Sequence, residues 1–238
     1  MKILVQKSND RDCVGITNAL APNHEVMVWD PESQDIKEAS PDLYVFTDSS
    51  KLGRYVANNI NEAAKFLFLK CRQPADFKVK GVSLDSLPVA ADTIRYPVSI
   101  PNKQWYCDVF YLSNFRDRTS ELSSINFNNL TFRAAGITPL TLPNYIGRLD
   151  SPREMSTMCL SAGVCIDFEL EYGLDILKIG GRVITNKENN LDIPVFTQNN
   201  INEVIKSVLN KKKPVLNKYE NLILSYSQVL DNILKLVE

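Results

Sequence analysis

Asp175 is the acidic group of this chain whose surroundings best suit ligand chemistry. It lies in Gly173-Leu-Asp-Ile-Leu-Lys-Ile-Gly180-Gly181-Arg-Val-Ile-Thr185-Asn186. The segment reads as a short amphipathic helix, a double-glycine turn and a buried strand ending at a polar pair. Asp175 falls in the first helical turn. A carboxylate there either accepts hydrogen bonds from two vicinal hydroxyls of a ligand or simply complements the helix dipole. Thr185 and Asn186 close the strand, at the end where open α/β sheets place their ligands. Other familiar chemistries are missing. The chain has no GxxxxGK[ST] phosphate loop, no GxGxxG and no GxSxG elbow, and only 9 glycines in all. Its single histidine, His24, opens a strand and reads as an edge residue. No CxxC occurs, so a zinc site has no ligand pattern.

The elements that must carry Asp175 follow from the apolar runs. Met1–Val5, His24–Trp29, Pro41–Phe46 and Ala64–Cys71 read as strands, with a shorter one within Val89–Tyr96. Gly15–Leu20 and Gly53–Asn61 read as helices between them. Several strands are continuous apolar runs, as in Lys65-Phe-Leu-Phe-Leu69. Such runs imply burial on both faces, hence a parallel sheet between helix layers. Pro97-Val-Ser-Ile-Pro101-Asn102 reads as a connector. A second unit then carries strands at Cys107–Leu112, Leu130–Ala134, Val164–Phe168, Val183–Asn186 and Pro194–Phe196. Its helices are Thr119–Ile125, one capped by Ser151-Pro152-Arg153-Glu154 and running to Ala162, Asp175's own, and Asn200–Leu209. Lys218–Val237 reads as one amphipathic helix. The expected organisation is an α/β chain of two Rossmann-like parallel-sheet domains facing a cleft. Residues 1–100 form the first, 101–215 the second, and 216–238 a helix packing back on them.

Composition narrows the class. With 238 residues, 44% hydrophobic and 23% charged, the chain has ordinary globular proportions. A net charge of −1 gives no general attraction to nucleic acid or anionic membrane. Lys211-Lys212-Lys213 reads either as a solvated linker or as a phosphate patch. No apolar run approaches the ~20 residues that span a bilayer. Five scattered cysteines point to a reducing cytoplasm without a disulfide framework.

Residues Asp175 to Thr185 resemble a stretch of one branch of the GT-B glycosyltransferases, the CgeB-like and phage-type enzymes. There the helix reads Arg-x-x-Glu-x-x-x-x-Gly-Gly, followed by apolar residues and Thr. Pro152–Ala162, Val164–Phe168 and Cys107–Arg116 are similar to the corresponding family stretches, so the resemblance covers about residues 105–210. It implies that Asp175 holds the ribose hydroxyls of a nucleotide sugar, with Thr185 at the same strand end. The family arginine three residues before the acid is Tyr172 here. Arg116, Arg118 and Arg148 are candidates to replace it at the diphosphate, with Asn114 and Gly147 in the same loops. Each arginine also has a plain surface reading. An inverting enzyme needs a general base. Asp48 and Asp10, after the third and first strands, are the candidates, though Asp48-Ser49-Ser50 equally reads as a helix cap. The resemblance implies a metal-independent transferase with no cofactor beyond the nucleotide sugar. Its acceptor is a glycan, a protein or a modified DNA base. A non-catalytic glycosyltransferase-like binding protein and a regulatory pair of doubly wound domains are the other readings.

Overall fold

The computed structural model describes residues 1–8, 11–30, 40–48, 50, 52, 56, 59–88, 90–113, 116–127, 129–149, 151–170, 172–212 and 217–237. The strands along the chain are β1 (Lys2–Gln6), β2 (Glu25–Trp29), β3 (Leu43–Phe46), β4 (Lys65–Leu69), β5 (Val82–Leu84), β6 (Ala90–Ala91), β7 (Cys107–Ser113), β8 (Phe132–Gly136), β9 (Ala162–Asp167), β10 (Val183–Thr185) and β11 (Leu224–Ser225). The helices are α1 (Arg11–Leu20), α2 (Thr119–Ser123), α3 (Pro152–Ser161), α4 (Gly173–Lys178), α5 (Ile201–Asn210), α6 (Tyr219–Leu222) and α7 (Tyr226–Val237). They form two compact units. Met1–Asp92 with Leu224–Glu238 make the first, and Thr93–Ile223 the second.

The first unit holds a five-stranded parallel sheet in the order β2-β1-β3-β4-β5. Period-two alternation sorts its apolar runs onto two faces. Ile3, Val5, Leu43, Val45, Leu67 and Leu69 face one core with α1 and α7. Leu4, Tyr44, Phe46, Phe66 and Phe68 face an aromatic core, where the Tyr44 and Phe66 rings stack at 5.2 Å. The second unit holds a four-stranded parallel sheet, β10-β9-β7-β8. Both sheets step outward from their first strand and then reverse. Each therefore has a topological switch point, between β1 and β3 in one and between β7 and β9 in the other.

Both switch points are filled by the protein itself. In the first unit the Gln6 amide accepts the Thr47 and Asp48 N–H groups (2.9 and 3.0 Å) and donates to the Asp48 carbonyl (3.1 Å). In the second the Tyr172 hydroxyl accepts the Leu112 N–H (3.0 Å) and donates to the Ile166 carbonyl.

Several elements differ from the sequence expectation. The expected helix Lys218–Val237 breaks at Ile223, because Leu224 and Ser225 pair with β6. Ser225 and Gln228 then form a reciprocal capping box that restarts the helix (Ser225 N–H to Gln228 Oε1 2.8 Å, Gln228 N–H to Ser225 Oγ 3.2 Å). The expected strand within Val89–Tyr96 shrinks to the two-residue β6. The fifth strand of the sheet is instead β5, in a stretch to which the sequence reading assigns no element. Pro194–Phe196 contributes a single bridge, Thr185 to Val195. Much of the expected helix Gly53–Asn61 lies outside the described residues. The cap at Ser151 forms as expected, its Oγ accepting the Glu154 N–H.

A charged cluster ties α7 into the first unit. The Tyr226 hydroxyl donates to Asp12 (2.5 Å) and accepts from Arg11 (2.9 Å), while Lys70 donates to Asp12 (2.7 Å). Burial pushes the Asp12 carboxyl up. The bonds from Lys70 and Tyr226 and the charges of Lys70 and Arg11 outweigh that, and hold it below the usual range. A depressed folded-state pKa stabilises the fold above the unfolded value of about 3.9 and is lost as pH falls through the folded value. Asp12→Asn is therefore expected to lower the unfolding free energy at pH 7, with the gap to wild type closing below about pH 4. Urea melts of both proteins between pH 7 and pH 3 check this. A gap that stays constant with pH would refute it.

Candidate functional site

The strand ends of the second sheet are shaped by a few residues that leave no freedom of choice. At the end of β8, Gly136 adopts φ +137 and passes so close to β7 that a Cβ would lie 2.1 Å from the Ser113 oxygen. That approach lets Ile137 N–H reach the Ser113 carbonyl at 2.7 Å. At the end of β9, the Asp167 carboxylate turns to cap α4, accepting the Gly173 and Tyr172 N–H groups at 2.6 and 3.3 Å. Gly173 is needed beside it, since a Cβ would stand 2.5 Å from the same carboxylate oxygen. Between Asp167 and α4 the chain makes two successive left-handed residues, Glu169 and Leu170 (φ 61 and 58). Such pairs are costly without glycine. The Asn186 side chain, at the end of β10, holds this turn by accepting the Glu169 N–H at 2.7 Å.

A cavity of about 330 Å³ opens at these ends. Phe168 and Phe196, edge to face at 5.6 Å, form its aromatic wall. Arg118, Glu121, Asn186 and Gln198 supply its polar groups, and Ile201 brings in the amino end of the ten-residue α5. The Arg118 guanidinium lies over the Phe168 ring at 5.1 Å. It pairs with Glu121 at 2.8 Å and approaches Glu169 at 3.6 Å. Arg116 pairs with Glu169 at 3.3 Å. The hydrogen bond from Arg118 holds the Glu121 carboxyl below its usual range. The rim thus carries balanced charge rather than the positive edge that the arginines alone suggest.

The expected site residues fall as follows. Arg116 and Arg118 come together through Glu169, and Arg118 lines the cavity. Gly147 and Arg148 lie on the loop that adds to the outer edge of β8, where the Gly136 N–H reaches the Gly147 carbonyl at 3.0 Å. Gly147 has φ +118, with open space where a side chain would be. Asp175 sits in the first turn of α4, 2% exposed, and does not line the cavity. Tyr172 is fully buried at the switch point, and burial raises its hydroxyl well above the usual range. Thr185 is buried, its Oγ1 accepting the Lys187 N–H at 3.2 Å. In the first unit, Asp48 uses its carboxylate to cap a turn, accepting from Ser50 N–H and Oγ at 3.0 and 2.6 Å. Asp10 and Asn114 lie outside the described residues. Sequence reasoning missed Phe168, Phe196, Glu121, Glu169 and Gln198. Among the described residues no three His, Cys, Asp or Glu side chains converge as a metal site, and no helix is long and apolar enough to cross a membrane.

No protein-family model matches this chain, and no curated protein matches it in sequence. Solved structures do match in shape. Sucrose-phosphate synthase from Thermosynechococcus elongatus is similar with TM-score 0.64 and 10% identity, over 99% of this chain and 98% of that one. UDP-GlcNAc 2-epimerase from Methanocaldococcus jannaschii is similar with TM-score 0.52 and 9% identity, over 98% and 99% of the two chains. At these identities the likeness concerns architecture. The fold is α/β, with two Rossmann-like parallel-sheet units of the GT-B kind.

Proposed function

We propose that this chain is a glycosyltransferase, similar to the CgeB-like and phage-type branch, that takes a sugar from a nucleotide-diphosphate donor held by the second unit. The observation that carries this is the cavity at the carboxyl ends of β9 and β10, beside the switch point that Tyr172 fills and on the side of an open sheet where ligands bind. Its composition suits a nucleoside or sugar. Phe168 and Phe196 offer apolar faces, while Asn186, Gln198 and the Arg118–Glu121 pair offer donors and acceptors for hydroxyls. The diphosphate would take Arg116 and Arg118 from Glu169. Arg116 and Glu169 are exposed, and exposed pairs of this kind are worth only about 0–1 kcal/mol, so a doubly charged group competes well. The dipole of α5 adds to that attraction. No metal is required by this arrangement. The first unit would hold the acceptor, a glycan, a protein or a modified DNA base. Five cysteines with no disulfide among them fit a reducing cytoplasm.

The resemblance assigns the ribose hydroxyls to Asp175, whereas the cavity offers Gln198 and Asn186 for the same task. Calorimetry with UDP-, GDP- and dTDP-sugars decides the matter. One of them is expected to bind, with Arg118→Ala weakening it tenfold or more. Asp175→Ala and Gln198→Ala then show which group meets the ribose. If no nucleotide sugar binds at millimolar concentration, the proposal fails. The paired arginines and the capped Asp48 favour a second reading, a glycosyltransferase-like protein that binds without catalysis. Release of free nucleoside diphosphate during incubation with donor would exclude it.

A further inference from the structure

The second unit has another cavity, of about 370 Å³, at the opposite end of β10. Its walls are apolar: Leu177, Val183 and Val208, all nearly buried, with Pro194 and Tyr219. Its rim is basic, with Arg182, Lys211, Lys212 and Lys218 against the single carboxylate of Asp192. Cations near helix carboxyl ends usually answer the last carbonyls and the dipole. Here α4 and α5 both end at the cavity, yet other groups already do that work. Arg182 Nη1 donates to the Val208 and Lys211 carbonyls (2.8 and 3.0 Å), and Asn217 Nδ2 to those of Leu177 and Lys178 (2.9 and 2.8 Å). Lys218 faces Asp192 at 3.8 Å, both side chains largely exposed, a pair of small energy. Lys211 and Lys212 are left over. Among the described residues neither ammonium is ion-paired, and both flank an apolar chamber.

We propose that this cavity binds a small amphipathic anion, an apolar chain or ring ending in a carboxylate. The apolar body lies against Leu177, Val183 and Val208, and the carboxylate meets Lys211 and Lys212. The volume falls in the range of ordinary small-molecule pockets, about 300–1,000 Å³. Walls this apolar offer a sugar or a nucleotide too few partners for its hydroxyls, which would be stripped of water without compensation. A neutral hydrocarbon would leave the lysines unused. The site stands apart from the strand-end cavity and does not depend on glycosyl transfer.

Calorimetry of the full chain with decanoate, below its micelle concentration, tests this. One decanoate is expected per chain. Decanol, with the same chain and no charge, should bind at least tenfold more weakly. K211E/K212E changes only exposed residues, so it should keep the melting temperature while losing tenfold or more in decanoate affinity. Val208→Trp, which fills the chamber, should abolish binding. Saturating UDP-glucose should leave decanoate affinity unchanged. The proposal is overturned if decanoate does not bind, if decanol binds as well, or if K211E/K212E binds like wild type.

Discussion

Asp167→Ala is expected to remove about 3 kcal/mol from the stability of the second unit. The carboxylate is fully buried and accepts two backbone N–H groups at the start of α4. Its loss strands both donors in the interior, at roughly 1–3 kcal/mol each. Relief from burying a carboxylate offsets part of that sum. A six-residue helix has no stability of its own to absorb the loss. Denaturant melts should show the drop, and hydrogen exchange should show it concentrated at the amides of α4. Asp167→Asn, which keeps one acceptor oxygen, should lose clearly less. Equal losses for Ala and Asn would mean that the carboxylate is not acting as a cap.

Gly136→Ala is expected to destabilise by 3 kcal/mol or more, enough to lower soluble yield. Its new Cβ would meet the Ser113 oxygen at 2.1 Å and the Ser113 nitrogen at 2.8 Å, and backbone cannot rotate away as a side-chain tip can. The residue also sits at φ +137, which L side chains reach only at about 1–3 kcal/mol. Gly147 separates the two causes. It has φ +118, with nothing within 4 Å of a built Cβ. Gly147→Ala should therefore show the torsional part alone. If the two alanine variants melt together, the close approach of β8 to β7 is not what requires glycine.

The parallel sheets were legible because burial on both faces writes itself as unbroken apolar runs, as in Leu43–Phe46, Phe66–Leu69 and Val109–Leu112. Short elements left no such trace. β5 is three residues at a sheet edge, and β6 and β11 are two residues each, less than one period of any pattern. The break in the last helix was hidden by apolar spacing that continues across Ile223. The S-x-x-Q of Ser225 to Gln228 was the readable signal. At the candidate site, Phe168 and Phe196 look like core residues until the strands end beside them. Glu169 and Leu170 are not residue types that advertise a left-handed turn. That conformation comes from Asn186, seventeen positions away. Gln6 and Asp167 share one lesson. A polar residue that closes an apolar strand reads as the start of a loop, whereas here it folds back to satisfy the neighbouring backbone.

The return of Leu224–Glu238 to the first unit sets an order of assembly during synthesis. The core that Ile3, Val5 and Leu43 share with Tyr226, Val229, Leu230 and Ile233 stays open until the segment Leu224–Glu238 leaves the ribosome. Translation at ~5–20 residues per second leaves that apolar sheet face waiting on the order of ten seconds while the second unit is made. The second unit is continuous in sequence and can close first. Of the two units, the one begun first is thus the last to be completed, and its apolar sheet face is open to chaperones during that interval.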